Sequence, residues 1–312
     1  MNIEKELPGI KKNISLVQYT TFKIGGKAKY FCTVGTKEEL IEAVKAAKKM
    51  RLPFFILGKG SNLLVSDKGF NGIVIKIVNC KLKVENRKIS ADAGVPLNKL
   101  VSLSAEKSLT DMEWAVGIPG TVGGAVYGNA GSFGKSMKDV VDKVEVYDIK
   151  TRKVKIVSNK DCKFAYRESI FKKNKNLIIL STKLSLIRGE KKEIKNKIKE
   201  YLKYKKGTQP LNYPSAGSVF KNPKNFSAGE PGEENKFSSS NFTAAQLIEK
   251  CGLKGERAGG AKISEKHANF IVNFGGATAK DAKKLINLAK KSVKRKFGIV
   301  LKEEIQHIGF EN

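Results

Sequence analysis

The chain has few of the residues that build metal sites and disulfide frameworks. Only two histidines, His267 and His307, occur in 312 residues, and no two cysteines form a CxxC pair. Zinc sites need clustered Cys and His ligands, and disulfide frameworks belong to oxidising compartments. We therefore expect no metal ion and four unpaired thiols. The cysteines are Cys32, Cys80, Cys162 and Cys251.

Long apolar runs are also missing. No stretch of about 18 uncharged apolar residues occurs, so the sequence predicts no transmembrane helix and no membrane partner. The first residues, MNIEKELPGIKKNISL, lack the apolar segment of a secretory signal, so we expect a cytoplasmic protein. With 40% hydrophobic and 29% charged residues, the composition is that of a globular chain long enough for two domains.

Arginine is scarce although the chain is strongly basic. The formal net charge is +30, yet only seven of the 60 basic residues are arginines. Nucleic-acid sites rely on the planar guanidinium and on interleaved aromatic residues, and the chain lacks such stripes. We therefore predict a solvated basic surface and no nucleic-acid partner. The positive field would still attract polyanionic small molecules such as nucleotides.

The hydrophobic pattern alternates between strands and helices and predicts an α+β chain. Thr36-Lys-Glu-Glu39 indicates a capping box that opens an amphipathic helix ending before Pro53. A short apolar strand, Phe54–Leu57, then runs into a glycine loop. The other predicted elements before the C-terminal region are strands at 63–65, 73–77, 82–85 and 88–93, a helix at 96–107, a hairpin at 140–157, a strand at 177–187 and a charged hinge helix at 190–206.

A change in the sequence pattern after residue 206 predicts a C-terminal α/β unit. Its predicted elements are a mobile surface loop at 224–241, helices at 243–251 and 278–297, and strands at 270–273 and 299–308. In the last strand, alternation places Leu301, Glu303, Ile305 and His307 on one face and Lys302, Glu304, Gln306 and Ile308 on the other. One carboxylate should therefore point inward, and the pattern does not choose between the two glutamates.

Two glycine-rich segments follow apolar stretches. Gly58-Lys-Gly-Ser-Asn62 matches neither GxGxxG nor GxxxxGK[ST], so it is neither a Rossmann loop nor a P-loop. Alone it would be an ordinary tight turn. The segment Gly117–Ala125 contains four glycines, too many for the interior of a helix or strand. Together the two loops are able to hold one diphosphate through backbone N–H groups.

Three polar side chains stand out beyond these loops. Arg167, in a chain that otherwise uses lysine, suggests bidentate binding of a carboxylate, and a surface ion pair with Glu168 or Glu145 fits the sequence equally well. Ser218 has no GxSxG setting, which disfavours a nucleophilic hydrolase. It is either a turn serine or a proton donor whose conjugate base Lys221 stabilises.

The ordered set of motifs resembles the UDP-N-acetylenolpyruvoylglucosamine reductase family over nearly the whole chain. The motifs are YTTFKIGG (19–26), LGKGSNLL (57–64), GIPGTVGGA (117–125), YRES (166–169), SAGSVFKNP (215–223), GGAKIS (259–264), HANFIVN (267–273) and LKEEI (301–305). The resemblance implies an FAD-binding region of the vanillyl-alcohol-oxidase-like (PCMH) type at 1–206, with subdomains at about 1–77 and 78–206. A C-terminal substrate domain at 207–312 would follow, its last strand 299–308 carrying a catalytic glutamate.

The resemblance also implies the chemistry and the residues that perform it. NADPH would reduce non-covalently bound FAD, which would reduce the enolpyruvyl group of a UDP-sugar. Arg167, Ser218 and Glu304 would be catalytic, and Tyr166, Lys221 and Asn222 would bind substrate. The implied FAD contacts are Gly58, Lys59, Gly60, Ser61, Asn62, Leu63, Gly117, Ile118, Pro119, Gly120, Thr121, Gly123, Gly124 and Ala125.

The resemblance leaves some features open. The stretch 167–186 has no room for the inserted lid of one family subclass, so we expect the lidless subclass. We also expect a monomer. The loop 224–241 is longer than is usual in this family, which puts substrate closure there in question.

A related FAD oxidase is the alternative enzyme class, and it would share both glycine loops. Many such oxidases attach flavin covalently through His or Cys, and no histidine lies in the first 266 residues.

Overall fold

A computed structural model describes residues 3–78, 80–223 and 242–310, so the predicted loop 224–241 lies outside the described residues. The chain forms two compact units that interleave along the sequence. The first contains Met1–Lys12, Tyr30–Lys59 and Gly72–Tyr204, and the second contains Asn13–Lys29, Gly60–Asn71 and Lys205–Asn312. The compact units therefore differ from the continuous ranges 1–206 and 207–312, because two early segments group with the C-terminal residues.

The helices and strands of the described residues follow in chain order. The helices are α1 Ile3–Glu6, α2 Lys37–Lys49, α3 Leu97–Glu106, α4 Val122–Gly128, α5 Met137–Val140, α6 Ile170–Lys173, α7 Lys191–Thr208, α8 Ala244–Lys250 and α9 Ala279–Phe297. The strands are β1 Lys11–Ser15, β2 Lys27–Val34, β3 Phe54–Leu57, β4 Leu63–Val65, β5 Phe70–Ile77, β6 Leu82–Glu85, β7 Lys88–Asp92, β8 Leu109–Thr110, β9 Gly131–Ser132, β10 Lys135–Ser136, β11 Val141–Asp148, β12 Lys153–Ser158, β13 Leu177–Ser185, β14 Ile187–Arg188, β15 Ser215–Ser218, β16 Arg257–Ala258, β17 Ala261–Ile263, β18 Phe270–Asn273 and β19 Gln306–Ile308.

The first unit has two hydrophobic cores. An antiparallel sheet of order β12-β11-β13-β7-β6 packs against α3 and α4 around Trp114 and Leu100. A second sheet, of order β1-β2-β5-β3, carries α2 and buries Leu40, Val44 and Ile75. In that sheet β3 pairs parallel with β5.

Helix α2 begins where the sequence predicts, with half of the expected capping box. The Thr36 side chain accepts a hydrogen bond from Glu39 N at 3.1 Å. The Glu39 carboxylate accepts from Gly35 N at 2.6 Å, one residue before the N-cap. The helix start is therefore correct, and the reciprocal bond is shifted by one residue.

The prediction that glycine excludes a helix from Gly117–Ala125 is wrong in its second half. Helix α4 begins after Thr121, whose side chain accepts from Gly124 N, and it includes Gly123 and Gly124. A Cβ on Gly123 would lie 2.7 Å from the Ala93 Cβ, so only glycine permits this close approach of the helix. Tertiary packing therefore outweighs the low helix propensity of glycine here.

The second unit places a sheet of order β15-β18-β17-β16 against α8 and α9. Leu247, Ile271, Leu285 and Ile286 lie in its core. Complete capping boxes start both helices, Thr243 with Gln246 at α8 and Thr278 with Asp281 at α9. These helices agree with the sequence prediction, because the capping signal and the apolar period coincide there.

The predicted strand 299–308 is wrong over most of its length. Only Gln306–Ile308 is a strand, and it pairs parallel with Leu63–Val65. Leu301 and Ile305 are buried as expected, while Glu303 and Glu304 are both partly buried. The segment before β19 meets the Ser218 motif through single backbone contacts rather than a continuous ladder, so simple alternation does not hold.

The described residues contain no helix long and apolar enough to cross a membrane. Across the same ranges, no group of three or more His, Cys, Asp or Glu side chains is arranged to hold a metal ion. All four cysteines are free thiols. Burial raises the pKa of Cys32 to about 11 and that of Cys162 to about 12, so both are protonated at neutral pH.

Candidate active site

The loop Gly58–Leu63 leaves β3 and enters β4 in a conformation that requires glycine. Gly60 has φ +63°, and a Cβ there would lie 2.2 Å from the Tyr19 carbonyl oxygen. A Cβ on Gly58 would lie 2.6 Å from Thr121 Oγ1. The start of the first glycine segment therefore lies against Thr121 of the second.

The donors of the first loop suit an anionic ligand. The N–H groups of Lys59, Gly60 and Ser61 donate no hydrogen bond to another residue that the structure describes. Lys76, which the sequence analysis missed, donates from Nζ to the Gly58 carbonyl oxygen. Burial lowers the pKa of Lys76, and the nearby charge of Lys59 lowers it further. Three consecutive backbone N–H groups fit the diphosphate of FAD.

The second glycine segment uses most of its N–H groups within the first unit. Val122 N donates to Val95 O at 2.8 Å, and Gly123 N donates to Ala93 O at 2.7 Å. Ile118, Gly120, Gly124 and Ala125 also donate to partners in their own unit. Gly117 has φ +72° and so needs glycine for its backbone. This segment therefore offers a close-packed surface more than a row of available donors.

Arg167 occupies a strained two-residue turn. Ala165 and Glu168 form an antiparallel bridge with two hydrogen bonds of 3.0 Å, and Tyr166 and Arg167 form the turn between them. Arg167 has φ +55°, which is unfavourable for a bulky side chain. Its guanidinium donates to Gly131 O at 2.9 Å and lies 5.3 Å from the ring of the half-exposed Tyr166. Such strain is typical of functional turns.

In the second unit, a backbone hydrogen bond joins Glu304 to the residue that follows Ser218. Ser218 ends β15 opposite Phe270, and the next residue, Val219, accepts a hydrogen bond from Glu304 N at 2.8 Å. Asn62 Nδ2 donates to the Glu304 carbonyl oxygen at 3.1 Å. Asn62, predicted as a flavin contact, therefore supports the backbone of the predicted catalytic glutamate.

The buried side-chain amide of Asn269 holds the Ser218 motif in place. The sequence identifies Asn269 only as part of the motif HANFIVN. Asn269 donates from Nδ2 to Phe220 O at 2.8 Å and accepts from Phe220 N at 2.9 Å. The backbone carbonyl oxygen of Asn269 accepts from Val219 N at 2.8 Å.

Two predicted substrate contacts have structural partners. Asn222 accepts a hydrogen bond from Ala244 N at 3.1 Å and so caps α8. Lys221 N donates to Lys302 O at 2.9 Å.

The neighbouring carboxylate, Glu303, belongs to an ionic cluster. Its oxygens lie 2.9 Å from Lys290 Nζ and 2.5 Å from His307 Nε2. The hydrogen bond from His307, with that from Lys290, lowers the pKa of Glu303 to about 2 despite its partial burial. Glu303 is thus a structural anion. The sequence signal for this cluster is the i,i+4 spacing of Glu303 and His307.

Comparison with known proteins defines the class of this chain. Residues 28–156 match a family profile described as an FAD binding domain, and residues 209–308 match one described as the C-terminal domain of UDP-N-acetylenolpyruvoylglucosamine reductase. The chain is therefore an FAD-dependent oxidoreductase. It belongs to the UDP-N-acetylenolpyruvoylglucosamine reductase family.

Full-length relatives support this membership. The reductase of Caldanaerobacter subterraneus subsp. tengcongensis is 45% identical, covering 95% of this chain and 93% of that protein. The reductase of Caldicellulosiruptor bescii is 44% identical, covering 96% and 90%. The crystal structure of the Thermus caldophilus reductase matches with a TM-score of 0.77 at 34% identity, covering 96% of this chain and 99% of that one.

These findings confirm several expectations from the sequence. The α+β fold, the FAD-binding region, the C-terminal domain of this family and the FAD cofactor are confirmed. The roles of individual residues, the lidless subclass and the monomeric state stay predictions.

Proposed function

We propose that this protein catalyses the NADPH-dependent reduction of the enolpyruvyl group of UDP-N-acetylglucosamine enolpyruvate to UDP-N-acetylmuramate, a step of peptidoglycan precursor synthesis. The observation that carries the proposal is family membership over nearly the whole chain, with both the FAD-binding domain and the C-terminal reductase domain present. The three side chains that the chemistry needs, Arg167, Ser218 and Glu304, occupy the matching motif positions.

The cofactor's diphosphate would be held by the N–H groups of Lys59, Gly60 and Ser61. Lys76 would support this loop, because its Nζ donates to the Gly58 carbonyl oxygen. The segment Gly117–Ala125 would contact the remainder of the flavin. When bound, FAD takes a hydride from NADPH and supplies a hydride to C3 of the enolpyruvyl group.

Arg167 would bind the carboxylate next to the double bond. Hydride addition at C3 builds negative charge at C2, and this charge spreads into the carboxylate. A guanidinium that forms two parallel hydrogen bonds to the carboxylate stabilises that charge more than it stabilises the neutral alkene. The hydrogen bond from the guanidinium to Gly131 O supports this role, since a charged group that is already held in place needs little reorganisation during the reaction.

Ser218 would deliver the proton to C2. A serine hydroxyl is a weak acid, so the charge of its conjugate base needs a nearby ammonium group, for which Lys221 is the candidate. Glu304 would assist only in its protonated form or through a water molecule, because a bare carboxylate would repel the developing enolate. Tyr166, Lys221 and Asn222 would contact the UDP-sugar.

The free thiols support a proposal for the compartment. Four free cysteines suit a reducing compartment, and we propose that the protein acts in the cytoplasm, where NADPH and UDP-sugars are available. Its partners would be these two small molecules, with no nucleic acid among them.

The test separates the two half-reactions by stopped-flow absorbance. The purified protein should be yellow, with flavin bands at about 370 and 450 nm. Ser218→Ala should leave flavin reduction by NADPH intact and lower enolpyruvyl reduction by roughly two to four powers of ten. The matched control is Ser104→Ala, which removes a hydroxyl bound to Leu100 O in α3 and should leave both rates unchanged.

Three outcomes would contradict the proposal. A colourless protein that also fails to bind added FAD would exclude a flavoenzyme. Equal losses in both half-reactions of Ser218→Ala would remove the proton-donor role. Oxygen-dependent oxidation of an alcohol or sugar, without enolpyruvyl reduction, would instead favour the related oxidases.

A further inference from the structure

The turn that carries Arg167 needs external support, because its backbone is strained. A residue with φ +55° does not hold this conformation by its own preference. The support comes from residues 127–131, the end of α4 and the segment after it. Ser169, fully buried, donates from Oγ to Tyr127 O at 2.7 Å, and Arg167 donates to Gly131 O at 2.9 Å.

Asn129 is the central contact of this support. It is the C-cap of α4, has φ +43° and is only 5% exposed. Its Nδ2 donates to Ala165 O at 2.9 Å, the residue at which the Arg167 turn begins. Its Oδ1 accepts from Lys138 N at 3.0 Å at the start of α5. Both ends of one buried amide are therefore used, and one end fixes the turn.

The chemistry of this arrangement selects an amide. The side-chain amide presents a donor and an acceptor on one rigid plane, and Asn tolerates the left-handed backbone of a C-cap. An aspartate would accept from Lys138 N as well, but it would place a carboxylate oxygen against the Ala165 carbonyl oxygen. The bond to Ala165 is therefore the interaction that depends on asparagine.

We propose that Asn129 is a positioning residue that holds the Arg167 turn so that the guanidinium meets the substrate carboxylate. This inference rests on the proposed role of Arg167. Asn129 touches neither substrate nor flavin in this scheme and acts only through Ala165. Because displacement of a catalytic group by about 1 Å lowers rates by up to about a hundredfold, loss of the bond should be visible in catalysis.

The first experiment uses Asn129→Gly, since glycine keeps the left-handed backbone and removes only the amide. We expect enolpyruvyl reduction to fall about 10- to 100-fold in kcat, with flavin reduction by NADPH within about twofold of the wild type. The matched control is Asn159→Ala. Asn159 donates to Lys138 O and Val141 O at 2.8 and 2.7 Å, so its loss removes comparable bonds in the same unit. This control should leave both half-reactions within about twofold.

The second experiment is a double-mutant cycle with Arg167→Ala. If Asn129 acts through Arg167, Asn129→Gly should change enolpyruvyl reduction by less than about twofold once the guanidinium is gone. An equal fall in both backgrounds would overturn the proposal, because Asn129 would then act elsewhere. A full rate in Asn129→Gly alone would overturn it too.

Failure of the Arg167 role and failure of the Asn129→Gly variant to fold can each be distinguished from failure of the positioning role. If Arg167→Ala itself reduces the enolpyruvyl group at the full rate, the proposed role of Arg167 fails, and the positioning role fails with it. If Asn129→Gly does not fold, Asn129→Asp takes its place in the same cycle, because it keeps the acceptor for Lys138 N and loses only the donor to Ala165 O. A full rate in that variant would likewise contradict the proposal.

Discussion

At the scale of single residues, two adjacent glutamates have different environments. Glu303 is bound by Lys290 and His307, whereas Glu304 is held through its backbone by Asn62 and Val219. Alternation along a strand predicted that one carboxylate points inward, and it did not choose between them. The choice depends on Lys290 in α9 and on Asn62, both far away in sequence, so local patterning alone does not contain it.

The cluster of Glu303 predicts a defined acid sensitivity. Its pKa is lowered from 4.5 to about 2, so the ionised form stabilises the fold. That contribution is complete above about pH 4.5 and is lost as the pH falls toward 2. Glu303→Gln should therefore lower the free energy of unfolding by about 1–3 kcal/mol at pH 7, with the difference from wild type shrinking toward pH 2. Urea unfolding at several pH values measures this.

An exposed ion pair supplies the control for that measurement. Glu42 lies 2.8 Å from Lys45 on the surface of α2. Glu42→Gln should change the free energy of unfolding by less than about 0.5 kcal/mol and show little dependence on pH. A pH-independent loss in Glu303→Gln would mean that packing, rather than charge, explains its effect.

At the scale of elements, the sequence predicts those helices whose local signals agree. Capping residues and the apolar period mark α2, α8 and α9 within one or two residues. It fails for α4 and for the segment before β19. Both are stabilised by distant partners, α4 by Ala93 and the other segment by Val219, so neither carries a sufficient local signal.

Helix α4 provides a matched pair of glycines. Gly123→Ala places a Cβ 2.7 Å from the Ala93 Cβ, so we expect a loss of about 1–3 kcal/mol in unfolding free energy and weaker FAD binding. Gly128→Ala, in the same helix, meets no atom within 4 Å and should be neutral or stabilising by up to about 1 kcal/mol. Thermal unfolding and FAD titration measure both. Equal effects of the two changes would contradict the close-packing account of Gly123.

At the scale of the whole molecule, the net charge of +30 predicts electrostatic steering of NADPH. Raising NaCl from about 50 to 500 mM shortens the Debye length and should lower kcat/KM for NADPH severalfold, with a smaller effect on kcat. NADH lacks the 2′-phosphate, so its kcat/KM should depend less on salt. Equal salt dependence for the two nucleotides would contradict steering by the net charge.

The sequence did not predict that the two compact units interleave along the chain. Phe22, Ile24 and Leu64 lie in the same core as Leu247 and Ile271. These apolar residues show where a core exists but not which distant residues share it. The family resemblance supplied the fold class, and the membership of the segments 13–29 and 60–71 became visible only in the contacts.

The interleaving has a consequence for synthesis on the ribosome. The segments Asn13–Lys29 and Gly60–Asn71 leave the ribosome long before Lys205–Asn312 is translated. At about 5–20 residues per second, their partners follow on the order of ten seconds later. During that interval Phe22, Ile24 and Leu64 have no native core to enter, so the nascent chain exposes apolar surface that chaperones bind.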